Sequence, residues 1–310
     1  MQRPLVYIVG CTGCGKGGLG RELARRTGAE IISLDSMKVY RRMDIGTAKP
    51  SAEARRETRH HLIDVVEPSE EFSVATYVNL AEAAIEDIRS RGKPTMIVGG
   101  TPLYLKALTE GLFDGPGADP VLRARLHEEA AVAGSAVLHE RLRTVDPKTG
   151  QRVHPNDLKR IIRALEVFEL TGLPISSLQE QWDRDHTRHE GVLIGLRRSR
   201  EEQSHRTNER VHRMIEAGLV DEVKALLAEP APLSATARQA VGYAEIIEHL
   251  QGRCSLAEAI ESIRINTRQF AKAQRTWFRR FPRIEWVDLP PEATAERVAD
   301  ELLGSEGRLS

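Results

Sequence analysis

The first twenty residues constrain this chain more than any other stretch. Leu5-Val-Tyr-Ile-Val9 is a continuous apolar, β-rich run that leads directly into Gly10-Cys-Thr-Gly-Cys-Gly15-Lys16. A run apolar at every position suits a strand covered on both faces. Glycines so placed let backbone N–H groups converge on an anion where a Cβ would obstruct them. A following helix adds the positive end of its dipole, and Lys16 adds a mobile ammonium. Gly10, Cys11, Thr12, Gly13, Cys14, Gly15, Lys16 and Gly17 are therefore the candidate phosphate-binding residues. The match to the phosphate-loop pattern stops at its last position, where Gly17 stands in place of Ser or Thr, with Gly18 behind it. That hydroxyl ordinarily binds the magnesium accompanying the phosphates, so no side chain of this loop is expected to ligate metal. The plainer alternative is a glycine-rich turn between strand and helix.

The pattern continues as alternating strands and helices. Leu19 to Arg26 is helical, Glu30-Ile-Ile-Ser-Leu34 is a strand closed by Asp35, and Leu62 to Val66 reads as another strand. Helical periodicity runs from Val74 to Ser90, and Pro94-Thr-Met-Ile-Val98 is a further buried strand before Gly99-Gly100. Buried strands separated by helices indicate a parallel sheet with helices on both faces, a P-loop NTPase-like α/β fold. Beyond Leu112 the turn-rich Phe113-Asp-Gly-Pro-Gly-Ala-Asp-Pro120 opens a stretch with helical patterns only. In it, Leu158, Ile161, Ile162, Leu165 and Phe168 form an apolar stripe at helical spacing, opposite Lys159, Arg160 and Arg163. Gly191-Val-Leu-Ile-Gly-Leu196 returns to the sheet. The expected organisation is an α/β core of 1–117 and 187–310 interrupted by an all-helical insertion of 118–186.

Composition narrows the function classes. A chain of 310 residues, 40% hydrophobic and 29% charged, suits a globular protein. The opening apolar run is too short for a secretion signal, and no stretch is long enough to span a membrane, so a cytoplasmic protein is expected. Formal net charge is zero, so a polyanion would have to be held by local basic patches. Cys11 and Cys14 have C-x-x-C spacing, open to a redox or zinc reading. No second Cys/His pair accompanies them, and the phosphate loop accounts for them otherwise.

Several segments further along resemble the motifs of one family, the tRNA dimethylallyltransferases. They are Asp35-Ser-Met-Lys-Val-Tyr-Arg-Arg-Met-Asp-Ile-Gly-Thr-Ala-Lys-Pro50, His60-His-Leu-Ile-Asp64, Gly99-Gly-Thr-Pro-Leu-Tyr-Leu105 and Asn156-Asp-Leu-Lys-Arg-Ile-Ile-Arg-Ala-Leu-Glu166. Gln239-Ala-Val-Gly-Tyr243, Thr267-Arg-Gln-Phe-Ala-Lys272, Gln274 and Thr276-Trp-Phe-Arg279 continue the series in the same order. The resemblance implies transfer of a prenyl group from dimethylallyl diphosphate to N6 of the adenosine 3′ of the anticodon, with Mg2+ as cofactor. It implies Asp35 as the base and Thr101 beside the reacting amine. Arg210 would clamp the diphosphate. It further implies contact with the tRNA anticodon stem-loop through Asp35, Ser36, Met37, Lys38, Thr101 and Arg123, and through Lys159, Arg160, Ile161, Ile162 and Arg163. Gln239, Gly242, Arg268, Lys272 and Arg275 complete that set. Without the resemblance, Asp35 reads sooner as a helix or turn cap and Thr101 as a turn hydroxyl than as catalytic groups. The sequence departs from the family pattern at Gly17, at Lys38 where glutamine is usual and at Pro102 where glycine is common. It does so again at Ala273, in place of a basic residue, and at His212, in place of an acidic one.

Charge adds independent weight. No acidic residue lies between Glu261 and Glu285, while Arg264, Arg268, Lys272, Arg275 and Arg279 recur at steps of three or four, one stripe of a helix. Such a stripe fits a nucleic-acid backbone. The expectation is a monomeric tRNA prenyltransferase whose magnesium is held by diphosphate oxygens and water. The alternatives are a tRNA-binding protein without catalysis, suggested by Gly17, and a small-molecule kinase on the same sheet.

Overall fold

The computed structural model describes residues 4–112, 115–179, 188–189 and 191–304. The opening apolar run becomes β1 (Leu5–Gly10), buried at every position. It is followed by α1 (Lys16–Thr27), β2 (Glu30–Leu34), α2 (Ala52–Glu57), β3 (His60–His61), α3 (Val74–Ser90), β4 (Thr95–Gly99) and α4 (Pro102–Glu110). A helical stretch carries α5 (Pro120–Ala133), α6 (Ser135–Val145), α7 (Pro147–Arg152), α8 (Leu158–Thr171) and α9 (Ile175–Leu178). The chain then resumes with β5 (Gly191–Arg197), α10 (Arg200–Glu216), α11 (Leu219–Leu227), α12 (Ala235–Arg238), α13 (Tyr243–Leu250), α14 (Leu256–Phe278), β6 (Glu285–Asp288) and α15 (Ala295–Gly304).

The strands form a six-stranded sheet in the order β3-β2-β4-β1-β5-β6, with every pairing parallel. Alternation along β1 sends Val6 and Ile8 to one face, where they pack with Leu19 and Leu23 of α1 and Val298, Ala299 and Leu302 of α15. On the other face α3 lies against β2 and β4, and α14 against β1. The loops that follow β1, β2 and β4 all leave from the carboxyl ends of their strands, where α/β sheets gather ligand-binding groups.

The chain divides into two compact units, one of Met1–Leu108 with His189–Ser310, the other of Thr109–Arg188. The second has its own core, in which Ile161, Ile162 and Leu165 of α8 meet Leu122, Leu126, Leu138 and Leu142. Its two ends are adjacent, since Arg188 N–H donates to the Thr109 carbonyl at 2.8 Å. Glu166 organises its polar interior. Its carboxylate, 0% exposed, accepts two bonds from Arg123 (2.8 and 2.9 Å), one from Arg163 (2.6 Å) and one from Asp119 N–H (2.8 Å). Burial pushes the Glu166 carboxyl up, but these donors together outweigh it and leave it below the ordinary glutamate value.

Three expectations need correction. The strand expected at Leu62 to Val66 is instead the two-residue β3, because Leu62 and Asp64 have φ of 60° and 57°, which no strand accommodates. Lys49 and Arg55 hold Asp64 in place, each at 2.6 Å. Pro94 lies just outside β4, where its carbonyl accepts Glu30 N–H. The sheet also gains β6, a strand too short and too exposed to leave an alternating pattern. Phe113 and Asp114, and the expected end of the insertion at 186, lie outside the described residues.

Replacing Glu166 by alanine removes the carboxylate that Arg123 and Arg163 share, while Arg163 keeps its bond to the Pro116 carbonyl. Arg123, 41% exposed, can turn to water, so the expected loss is on the order of 2–3 kcal/mol rather than the full cost of a broken buried pair. Urea unfolding followed by a probe in the helical unit checks it. The carboxyl's depressed pKa makes its contribution present above the unfolded glutamate value and lost as pH falls through the folded one, so the gap between wild type and variant should close in acid.

Candidate active site

The loop after β1 turns into α1 through Gly15, whose φ of 99° is a conformation glycine adopts without strain. Lys16 folds back so that its ammonium donates to the Cys11 carbonyl at 3.1 Å. Thr12 is fixed at three points. Its N–H donates to Gln274 Oε1 (2.8 Å), its carbonyl accepts from Gln203 Nε2 (2.7 Å) and its hydroxyl accepts from Arg210 (3.0 Å). Gln274 Nε2 also donates to the Gly100 carbonyl (2.6 Å), so one buried amide ties the loop after β1 to the loop after β4. Gly100 is required there. A Cβ would stand 2.9 Å from Gln274 Nε2 and 3.1 Å from Lys16 Cε.

Facing this loop, Asp35 follows β2 directly. Its Oδ1 accepts from the N–H groups of Met37 (2.9 Å) and Lys38 (3.3 Å), while Oδ2 has no hydrogen-bond partner among the described residues. The turn-capping alternative thus describes one oxygen only. Thr101 Oγ1 accepts from Ser36 N–H at 3.2 Å, and the Thr101 and Gly100 N–H groups both donate to the Leu34 carbonyl. Pro102 then occupies the first turn of α4, where a missing N–H costs nothing.

The two groups open into one cavity of about 930 Å³. Its walls carry Thr12, Gly13, Gly15, Lys16, Gly17, Asp35, Ser36, Met37, Lys38, Thr101, Arg210, Gln239 and Gly242. Gly10, Cys11 and Cys14 are not on its surface. Both thiols are buried beneath the loop, and burial, then Cys14, pushes the Cys11 thiol up. Lys16, Lys38 and Arg210 share the cavity with Asp35, Glu202 and Glu209. Burial pulls Arg210 down against the pull of Asp35. Burial also brings Lys38 down to about 8, with Lys16, Arg210 and Arg21 lowering it further and Asp35 opposing them.

Much of the long segment after Asp35 is scaffold. Glu222 accepts from Asp44, Ile45 and Gly46 N–H and from the Tyr243 hydroxyl (2.6 Å). Lys49, 2% exposed, bridges Asp44, Asp64 and the Tyr40 carbonyl. His61 Nε2 lies 2.7 Å from Glu30 Oε2.

The expected basic surface is present but partly neutralised. Arg264 and Arg268 both lie 3.4 Å from Glu261, which precedes them by one and two turns of α14. Arg268 and Lys272, with Arg200, Ser204, Gln203 and Arg275, line a groove of about 250 Å³ between α10 and α14. Arg275 bonds the Gln203 amide oxygen there. In the helical unit, Lys159 is exposed, Arg160 pairs with Asp157, and Arg123 and Arg163 serve Glu166. Ile161 and Ile162 are corrected as RNA contacts: both side chains are in that unit's core, 0% and 3% exposed. The amides of Gln203 and Gln274 are the functional residues that sequence reasoning did not single out as clamps. Buried amides leave no motif, because their partners are backbone groups up to 262 residues away.

The phosphate loop offers magnesium no free side-chain hydroxyl. Gly17 offers no hydroxyl, the Thr12 hydroxyl receives Arg210, and among the described residues no three acidic, histidine or cysteine side chains are grouped to hold a metal.

Residues 38–281 match the profile of the family described as IPP transferase. The chain belongs to the IPP transferase family. It is 49% identical over 286 residues to the tRNA dimethylallyltransferase of Geobacter metallireducens, covering 92% of this chain and 93% of the relative. Against the enzyme of that name from Carboxydothermus hydrogenoformans it is 45% identical, covering 99% and 98%. Its structure is similar to that of the full-length tRNA isopentenylpyrophosphate transferase of Bacillus halodurans (TM-score 0.71, 38% identity, 100% and 97% covered). It is also similar to a eukaryotic dimethylallyltransferase captured acting on tRNA (TM-score 0.76, 27% identity, 99% and 77% covered). The matched IPP transferase segment begins after the phosphate loop, so the geometry of residues 10–17 carries its own argument. Among the described residues no helix is long and apolar enough to cross a membrane.

Lys38 is held ionised at a cost. Because its folded-state pKa lies below the ordinary 10.5, the unfolded chain binds more protons between about 8 and 10.5, and stability rises through that window. At pH 7 Lys38→Gln should therefore raise the melting temperature by a few degrees, for a gain of up to about 3 kcal/mol. Calorimetry across pH should show the advantage shrinking above pH 8.

Proposed function

We propose that this protein is a tRNA dimethylallyltransferase. It moves the prenyl group of dimethylallyl diphosphate to N6 of the adenosine immediately 3′ of the anticodon and releases diphosphate. The observation that carries this reading is the single cavity in which the phosphate loop faces the free Oδ2 of Asp35. A leaving diphosphate and a nucleophile needing a base require that opposition, with room between for a five-carbon chain.

The geometry supports the following roles. Diphosphate lies on the N–H groups of the glycine loop, with Lys16 swinging from the Cys11 carbonyl to meet it and Arg210 flanking it. These groups neutralise charge that builds as the C1–O bond breaks. The N6 lone pair forms the new bond to C1, and the proton it sheds passes to Asp35 Oδ2. Thr101, whose Oγ1 already holds the Asp35 turn through Ser36, borders the same space and orients the amine. The adenosine reaches it flipped from its loop, over the wall formed by Ser36, Met37, Gln239 and Gly242. The groove of Arg200, Arg268 and Lys272 and the exposed Lys159 take the phosphate backbone. Any magnesium is held by the diphosphate's oxygens and water. A tRNA substrate implies the cytoplasm, and one chain builds the whole site, so a monomer suffices.

Labelled dimethylallyl diphosphate with unmodified tRNA should give labelled adenosine. Folded protein that binds tRNA and transfers no label would sink the proposal. Asp35→Asn keeps an oxygen to cap Met37 and Lys38 but removes the base, so kcat should fall about 10²- to 10⁴-fold with little change in tRNA affinity. Gln274→Leu cuts the amide that joins the two loops. It should lower kcat/KM on the order of tenfold or more through misplacement of the phosphate loop. Single-turnover kinetics of the two variants checks both.

A further inference from the structure

Two cations at the phosphate loop, Lys38 and Arg21, make no hydrogen bond or ion pair among the described residues. The ammonium of Lys38 lines the cavity with Lys16, Arg210 and Asp35, yet no carboxylate or carbonyl bonds it among the described residues. Arg21, one turn into α1, is likewise without a hydrogen bond or ion pair among them. Its position is informative. A Cβ added at Gly17 would meet nothing within 4 Å except Arg21 Nη1, at 3.7 Å. The guanidinium is thus beside the spot where a phosphate-loop hydroxyl would point, and where such a hydroxyl would hold a divalent cation against the phosphates. Lys38 and Arg21 are also close enough for each to act on the other's field and on His60. Lys49, by contrast, is spent on Asp44 and Asp64, and Arg55 on Asp64. The two free cations together carry the charge of one magnesium ion, at the place where this loop has lost its means of holding one.

We propose that Lys38, supported by Arg21, is a second diphosphate clamp, and that through it this protein grips diphosphate with little need for a divalent metal. The inference rests on the prenyl-transfer reading and assigns Lys38 to the diphosphate rather than to the RNA. The chemistry is that of charge neutralisation. A diphosphate ester leaves with added negative charge, and a desolvated ammonium in a cavity of low dielectric stabilises it more than the same ion in water does. An ammonium that no group bonds among the described residues is available for this without first breaking a contact, whereas Lys16 must leave the Cys11 carbonyl.

The test is calorimetric titration of the full chain, free of RNA, with inorganic diphosphate, in EDTA and in millimolar magnesium. In wild type the two affinities should agree within about threefold, since the clamp is already charged. Lys38→Gln should lose about tenfold or more in EDTA and recover most of it in magnesium. Lys38→Arg, which keeps the charge, should behave as wild type and shows that the loss is not one of folding. The proposal is overturned if Lys38→Gln binds diphosphate in EDTA as well as wild type does, including the case where only its tRNA affinity falls. It is equally overturned if wild type gains tenfold or more on adding magnesium. Those results leave prenyl transfer intact. If folded wild type binds no diphosphate in either buffer, the prenyl-transfer reading falls too.

Discussion

Thr12 shares three hydrogen bonds with three side chains, and the arrangement of the whole site hangs on them. Gln203 and Arg210 come from α10 and Gln274 from α14, so the first loop of the chain is set by helices nearly two hundred residues or more away. An unsatisfied backbone group in that buried place would cost on the order of 1–3 kcal/mol, which makes the clamp both a stabilising contact and a geometric one. Because Gln274 also holds Gly100, the loops after β1 and β4 cannot shift independently. The loop after β2 joins them through Thr101 and Ser36. Three strand ends are thereby locked into one constellation by side-chain and backbone bonds.

Inside that frame the charges are poorly compensated by design of position. Lys16, Lys38 and Arg210 converge near one carboxylate, and burial penalises the ionised forms of Lys38 and Arg210. A folded protein gains nothing from such crowding; a trianionic ligand does. The contrast with the rest of the chain is instructive. Elsewhere buried charges are paired, as Glu166 is with Arg123 and Arg163 and Lys49 is with Asp44 and Asp64.

The parallel sheet and its helices were legible in the sequence because β1, β2, β4 and β5 are continuous apolar runs, and the phosphate loop because its glycines answer to a backbone requirement. The opposition of Asp35 to that loop followed from two strand ends on one sheet edge. Less could be read where tertiary bonds override local pattern. Leu62 and Asp64 look like strand residues until Lys49 and Arg55 pull the chain into left-handed turns. Ile161 and Ile162 sit among basic residues in sequence but are swallowed by the helical core. The basic stripe of α14 was visible, but its neutralisation by Glu261 was not, since that carboxylate stands at the very edge of the acid-free run.

The adjacency of Thr109 and Arg188 bears on how such a chain could have been assembled. A segment whose entrance and exit are one hydrogen bond apart leaves the sheet as a loop does, whatever its length. The strands on either side of the break, β4 and β5, both pair with β1 and keep their register without reference to it. The helical unit can therefore grow, shrink or be exchanged as a cassette while the strands of the sheet keep their pairing.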